Sequence, residues 1–96
     1  MNILVVDDAP EIRLILKTAL EKQGHTVTTA NDGEEAWSVF SKTQAFQIVI
    51  SDWKMPKLDG LGLCERIRQE SLVRYTYIIL LTGMSGKTIV FGTVLA

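Results

Sequence analysis

The sequence predicts an α/β domain in which a parallel sheet lies between layers of helices. Three short, continuous apolar runs each end in a polar residue, which is the pattern of strands buried on both faces. Segments with helical spacing of apolar residues separate these runs, and this alternation is typical of a doubly wound sheet. The chain has 96 residues, enough for one hydrophobic core and too few for two. We therefore expect a single domain over residues 1–96.

The first half of the chain predicts two strands and two helices. The first strand covers residues 3–6, and Pro10 then suits the first turn of a helix because its missing N–H is not needed there. Residues 25–30 are rich in β-branched side chains and predict a strand near the edge of the sheet. Asp32 is followed three residues later by Glu35, which predicts a capping box at the start of the second helix.

The second half predicts two further strands around one helix. Residues 47–51 form the third strand, which Asp52 ends, and the breakers in WKMPKLDG then mark a loop. A helical pattern begins at Leu61, and Asp59 suits its N-cap. Residues 77–81 form the fourth apolar strand, which is ended by a threonine and a glycine.

Composition excludes several classes of function. The formal net charge is -1 and the sequence pI is about 5.7, so no basic surface exists to bind nucleic acid. The one cysteine, Cys64, can form neither an internal disulfide nor a zinc cluster, and it suits a reducing compartment. No apolar run reaches the roughly 18 residues of a membrane span, and the N-terminus lacks the basic region of a signal peptide. We expect a cytoplasmic protein.

Acidic residues end two strands that the predicted sheet brings together. Asp7 and Asp8 end the first strand and Asp52 ends the third, and these strands are neighbours in the flavodoxin-like order 2-1-3-4. Three carboxylates in one small volume repel each other, and Mg²⁺ relieves that repulsion because it favours carboxylates, waters and phosphate oxygens. The cluster therefore predicts a Mg²⁺ site beside a phosphoryl group, with an aspartate as nucleophile and the hydroxyl of Thr82 nearby.

These motifs resemble the receiver domain of two-component response regulators. The matching features are the acidic pair after the first strand, the D-x-x-M-P-x-x-D-G run that begins at Asp52, and the strand that ends at Thr82. The resemblance covers roughly residues 2–85. It implies that Asp52 is the phosphoacceptor for a sensor histidine kinase or a histidine phosphotransfer protein, that Thr82 is the switch hydroxyl, and that the domain is not an enzyme. It also implies the metal ligands, which are Asp8 and Asp52 directly, Asp7 through water, and Lys54 through its backbone carbonyl.

The C-terminal part of the sequence departs from this family. The family has a fifth strand with a lysine that pairs with the phosphoryl group, and then a last helix; this sequence stops before both. Lys87 falls where the family's fourth helix begins, so it does not match that lysine. We therefore expect a C-terminally truncated receiver, with residues 84–96 as an atypical tail and impaired phosphorylation.

The tail itself favours a strand, because residues 88–95 are rich in β-branched side chains and nearly free of charge. Such a strand can cover the fourth strand within one chain, or it can pair with a second molecule. We expect the second arrangement, a homodimer whose interface is formed mostly by residues 77–95.

Three other functions fit parts of the sequence. A non-signalling structural or dimerisation remnant of a receiver is the main alternative. A phosphate-binding loop is suggested by residues 83–88, but Leu81 stands where its first glycine is required. A phosphatase with an aspartate nucleophile needs D-x-D after the first strand, where this chain has Asp7, Asp8 and Ala9.

Overall fold

The computed structural model describes residues 1–43, 46–55, 57–70, 76–84 and 87–93. Within them, a five-stranded sheet carries helices on both faces. The elements in chain order are β1 (Asn2–Val6), α1 (Pro10–Lys22), β2 (Thr26–Ala30), α2 (Gly33–Thr43), β3 (Ile48–Asp52), α3 (Gly60–Glu70), β4 (Tyr77–Met84) and β5 (Lys87–Thr93).

The strand order is β2-β1-β3-β4-β5, and β1 to β4 are all parallel. The predicted doubly wound sheet with order 2-1-3-4 is thus confirmed. The central strand β1 shows why its sequence is a continuous apolar run: Leu4 and Val5 point to opposite faces, and both are fully buried.

The fifth strand is made by the segment that the sequence marks as an atypical tail. β5 runs antiparallel to β4, from Ile78 opposite Thr93 to Met84 opposite Lys87, so it is not the parallel fifth strand of the receiver family. Its β-branched composition explains why it is a strand. β4 also continues beyond its predicted end at Leu81, because the pairing with β5 extends it. The edge of β4, expected to pair with a second molecule, is therefore occupied within the chain.

The helices cover the two faces of the sheet differently. α2 and α3 pack together on one face, over the larger core, in which Phe40, Leu63 and Ile67 are almost fully buried. Cys64 also belongs to this core. α1 lies on the other face, over β1 and β2.

The helix starts follow local sequence. The Asp32 Oδ1 atom accepts the backbone N–H of Glu35 at 2.8 Å, and the Glu35 Oε1 atom accepts the backbone N–H of Asn31 at 2.7 Å. These reciprocal bonds confirm the predicted capping box at α2. The described helices contain 13, 11 and 11 residues, and none of them is long and apolar enough to span a membrane.

Candidate functional site

Three carboxylates meet at the carboxyl ends of β1 and β3. Val6 is paired with Ser51, so the residues that follow, Asp7 and Asp52, come side by side, with Asp8 next to them. One carboxylate oxygen from each of the three aspartates lies within 4.8 Å of the others. Asp7 is only 7% exposed, Asp52 is partly buried and Asp8 is exposed, so one side of the cluster is buried and the other is accessible to solvent.

Asp7 is held in place by the turn that enters α1. Its Oδ1 atom accepts the backbone N–H of Ala9 at 2.9 Å, and its own N–H donates to the carbonyl of Ala30 at 3.2 Å. The Nη1 atom of Arg13 donates to the backbone carbonyl of Asp7 at 2.7 Å. The sequence does not indicate this role of Arg13, because a cation within an amphipathic helix carries no signal that it turns back to the preceding strand end.

The electrostatics of the cluster are unfavourable without a cation. Burial raises the pKa of Asp7, the hydrogen bond from Ala9 partly offsets this, and repulsion from Asp52 and Asp8 raises it further. Burial also raises the pKa of Asp52, against lowering by the backbone N–H groups of Trp53 and Lys54, and repulsion from Asp8 adds to the rise. An all-oxygen donor set in which the charges repel each other fits a hard divalent cation such as Mg²⁺.

The loop that follows Asp52 closes on itself. The backbone N–H of Trp53 donates to Leu81 of β4 at 2.9 Å, and the Trp53 carbonyl accepts the N–H of Gly60 at 2.9 Å. A Cβ atom at Gly60 would overlap the backbone carbonyl oxygen of Asp52, so this close approach requires glycine. In the sequence, Gly60 indicates only a breaker in the predicted loop. The contact that requires glycine joins two backbones, which the sequence pattern does not report.

The end of the same loop begins α3. The Asp59 Oδ1 atom accepts the backbone N–H of Gly62 at 2.8 Å, which confirms Asp59 as the N-cap of this helix. The Asp59 carboxylate therefore caps α3, and it is not one of the three clustered carboxylates. The loop is anchored at both ends, by β4 near Asp52 and by α3 at Asp59.

The other two predicted site residues are Lys54 and Thr82. Lys54 is exposed in the loop, two residues after Asp52. The backbone of Thr82 lies in β4, one residue beyond Leu81, which is paired with Asp52, so Thr82 is at the same edge of the sheet as the acidic cluster. The side chain of Thr82 lies outside the described residues, as does that of Lys87. Their roles stay predictions.

Comparison with known proteins gives a consistent result. The family model for the response regulator receiver domain matches residues 3–94. A chemotaxis protein CheY homolog of Campylobacter jejuni is 39% identical over 88 residues, which are 91% of this chain and 68% of that protein. A probable transcriptional regulator ycf27 of Porphyridium aerugineum is 48% identical over 84 residues, which are 88% of this chain and 33% of that protein.

Solved structures agree with these relatives. Chemotaxis protein CheY4 of Vibrio cholerae matches with a TM-score of 0.80 and 34% identity, over 88% of this chain and 69% of that one. The response regulator protein TrrA of Thermotoga maritima, solved in complex with Mg²⁺-BeF, matches with a TM-score of 0.76 and 41% identity, over 88% and 70%. The chain therefore belongs to the family of response regulator receiver domains, the signalling domains of two-component systems.

Proposed function

We propose that this chain is a phosphoacceptor domain of two-component signalling, in which Asp52 takes up a phosphoryl group and the acidic cluster binds Mg²⁺. The observation that carries the proposal is the convergence of three carboxylate oxygens within 4.8 Å of one another at the end of two neighbouring parallel strands. The 41% identity to a response regulator that was solved with Mg²⁺-BeF supports the choice of cation.

The burial of the three aspartates supports different roles for them. Asp52 and Asp8, the more open pair, hold Mg²⁺ directly, together with the backbone carbonyl of Lys54. Asp7 is buried and already accepts a hydrogen bond from Ala9, so it acts through a water molecule. When bound, Mg²⁺ supplies positive charge to the oxygens of the phosphoryl group.

The chemistry is a phosphoryl transfer onto a carboxylate. A carboxylate oxygen of Asp52 forms a bond to phosphorus while the bond from phosphorus to a histidine nitrogen of the donor breaks. The departing nitrogen keeps the electron pair, and the product on this chain is an aspartyl phosphate. The donor is a sensor histidine kinase or a histidine phosphotransfer protein. Thr82, at the same edge of the sheet, is the hydroxyl that responds to the phosphoryl group.

Phosphorylation of this chain is slow. The family's lysine belongs to a parallel fifth strand, whereas the strand beside β4 in the described part of this chain is the antiparallel β5. Loss of one preorganised charge partner of a transition state typically costs about 10²–10³ in rate. Asp52 therefore accepts the group without the cation that the family uses to hold it.

Mass spectrometry tests this function directly. The 96-residue chain is incubated with Mg²⁺ and a small phosphodonor such as acetyl phosphate, and the phosphoryl adduct is mapped by peptide mass. A slowly forming adduct on Asp52, absent from Asp52→Asn and from samples with a chelator, supports the proposal. No adduct after prolonged incubation would favour the structural remnant, and a rapid, stoichiometric one would contradict the proposed slow rate.

The chain also assembles as a homodimer within the predicted interface of residues 77–95, through the outer edge of β5, because β4 lies between β3 and β5. Among the described strands, β5 is the outermost, and an open strand edge of this kind favours pairing with another chain. The setting is the cytoplasm, in line with the buried thiol of Cys64. Sedimentation at micromolar concentration tests the assembly, and a clean species of 10.7 kDa would refute the dimer.

A further inference from the structure

We infer that the corner between β2 and α2, residues 31–33, positions the loop between β3 and α3, of which residues 53–55 and 57–60 are described, and thereby sets the affinity of the acidic cluster for Mg²⁺. We call these segments the corner and the Asp52 loop. The Mg²⁺ part of this inference rests on the proposed function. The positional part stands on contacts between the two segments.

The main contact joins two backbones. A Cβ atom added to Gly33 would overlap the carbonyl oxygen of Leu58 and would lie 2.6 Å from its carbonyl carbon and 2.7 Å from its Cβ atom. No real Cβ atom fits at such distances, so any side chain at Gly33 must force the corner and the backbone at Leu58 apart. Gly33, the first residue of α2, therefore packs directly against the backbone of Leu58 and limits where this part of the loop can lie.

A second contact lies beside the first. The Lys57 Nζ atom is 3.7 Å from Oδ2 of Asp32, whose other oxygen caps α2. Lys57 also has a φ of 68°, a left-handed conformation that is unfavourable for a residue with a side chain. The Lys57 side chain is 67% exposed, so the ion pair itself contributes little stability. It joins the loop to the corner at the residue whose backbone is strained.

The loop carries this position to Asp52. Its base is closed by the hydrogen bond from Gly60 to the Trp53 carbonyl and by the close approach of Gly60 to the Asp52 carbonyl. The backbone N–H groups of Trp53 and Lys54 act on the Asp52 carboxylate. The loop is thus held by the Gly60–Trp53 hydrogen bond and by the contact of Leu58 with Gly33. A shift at Leu58 therefore moves the backbone N–H groups of Trp53 and Lys54, which orient the Asp52 carboxylate.

The test compares variants by nuclear magnetic resonance, which reports Mg²⁺ affinity from the Trp53 amide shift and loop opening from exchange of the Gly60 amide proton. We expect Gly33→Ala to raise the Mg²⁺ dissociation constant about tenfold, the lower end of what loss of outer support costs a metal site. We also expect faster exchange at Gly60 in this variant.

Two controls separate positioning from general damage. In Gly62→Ala the new methyl meets Leu58 at its Cδ1 atom, 2.7 Å away, which is the flexible end of a side chain that can turn aside. Val27→Ala removes a buried methyl pair from the opposite face of the sheet and lowers stability without touching the loop. Both variants should keep the wild-type Mg²⁺ affinity and the wild-type exchange at Gly60.

Lys57→Gln provides a variant with an opposite electrostatic expectation. It removes a positive charge from the loop that follows Asp52, so charge alone would tighten Mg²⁺ binding. The inference instead requires weaker binding, by about twofold, the scale of one exposed ion pair. This variant keeps Gly33 and its contact, so it decides the matter if Gly33→Ala does not fold.

The inference would be overturned if a folded Gly33→Ala keeps the wild-type Mg²⁺ affinity and the wild-type exchange at Gly60. It would also be overturned if Lys57→Gln binds Mg²⁺ more tightly than wild type. If the wild-type chain shows no response to Mg²⁺, the proposed metal site fails, and exchange at Gly60 alone decides the positional part. Faster exchange in Gly33→Ala than in Gly62→Ala would then support that part, and equal exchange would refute it.

Discussion

The two faces of the sheet are closed to different degrees. On the face covered by α2 and α3, twelve described residues form one buried cluster, whereas only three are buried in the cluster under α1. On the α1 face, Ile48 and Ile50 are only partly buried, and α1 itself has no buried residue. Several large apolar side chains of α1 are exposed, namely Ile12, Leu14 and Ile15.

This difference shows which layer supports the candidate site. The Asp52 loop leads directly into α3 and is stopped by the first residue of α2, and both helices belong to the well-packed face. Met55 and Leu58 of the loop also pack against the core of that face. The position of Asp52 therefore depends on the α2–α3 layer more than on α1, which supports Asp7 through Arg13.

The largest expected effect comes from the core of the well-packed face. Phe40 is 2% exposed, and its ring stacks between Trp37 at 6.2 Å and Phe46 at 6.3 Å between centroids. Phe40→Ala should lower the free energy of unfolding by about 3–5 kcal/mol, measured by urea denaturation, because a large cavity forms. A loss below about 1 kcal/mol would show that this face is not the main source of stability.

The matched change on the α1 face should cost less. Ile50→Ala removes a side chain of β3 that is partly buried and is contacted by the smaller cluster. We expect a loss of about 1–2 kcal/mol in the same urea experiment, since part of the side chain already contacts water. A cost equal to that of Phe40→Ala would mean that the α1 face is covered in solution, as by a second copy of the chain.

At the carboxyl ends of β1 and β3, removal of the negative charge of Asp52 should stabilise the fold. Burial and repulsion raise the pKa of Asp52 above its ordinary 3.8, so the folded chain binds a proton at Asp52 more tightly than the unfolded chain does. Protonation of Asp52 therefore stabilises the fold, fully below pH 3.8, and this stabilisation is lost as pH rises through the folded pKa. Asp52→Asn should therefore be more stable than wild type at pH 7, by at most about 1 kcal/mol because solvent screens this partly open group, and the difference should be smaller at pH 4.

Thermal unfolding at the two pH values checks this prediction. Mg²⁺ should stabilise the wild-type chain at pH 7 and leave Asp52→Asn almost unchanged, because the cation relieves the same repulsion that the variant removes. A variant less stable than wild type at pH 7 without Mg²⁺ would contradict the unfavourable electrostatics of the cluster.

The smallest effect is expected on the outer surface of α1. Ile15 is 62% exposed, so Ile15→Gln should change the free energy of unfolding by less than about 0.5 kcal/mol. The measurement is urea unfolding at two protein concentrations. A larger loss that appears only at the higher concentration would place Ile15 in a contact between chains.

Local patterns in the sequence determined much of this protein. Continuous apolar runs specified the parallel strands, and right-handed connections limited the orders in which they can lie. The acidic residues after β1 and β3 follow from the same reasoning, since neighbouring parallel strands end at one edge, and Asp7 and Asp52 meet there. The capping box at Asp32 and the N-cap at Asp59 are equally local, because each joins groups within four residues.

The tertiary structure alone decided where segments distant in sequence touch. The tail's β propensity predicts a strand, but only the structure shows that β5 pairs antiparallel with β4 of its own chain. Likewise, the sequence indicates only a turn residue at Gly33, and the structure shows that it packs against Leu58. The sequence indicates only a helix surface residue at Arg13, and the structure shows that it donates to the Asp7 carbonyl. These contacts depend on how the layers pack, and hydrophobic periodicity reports which face of an element is buried, not which neighbour it meets.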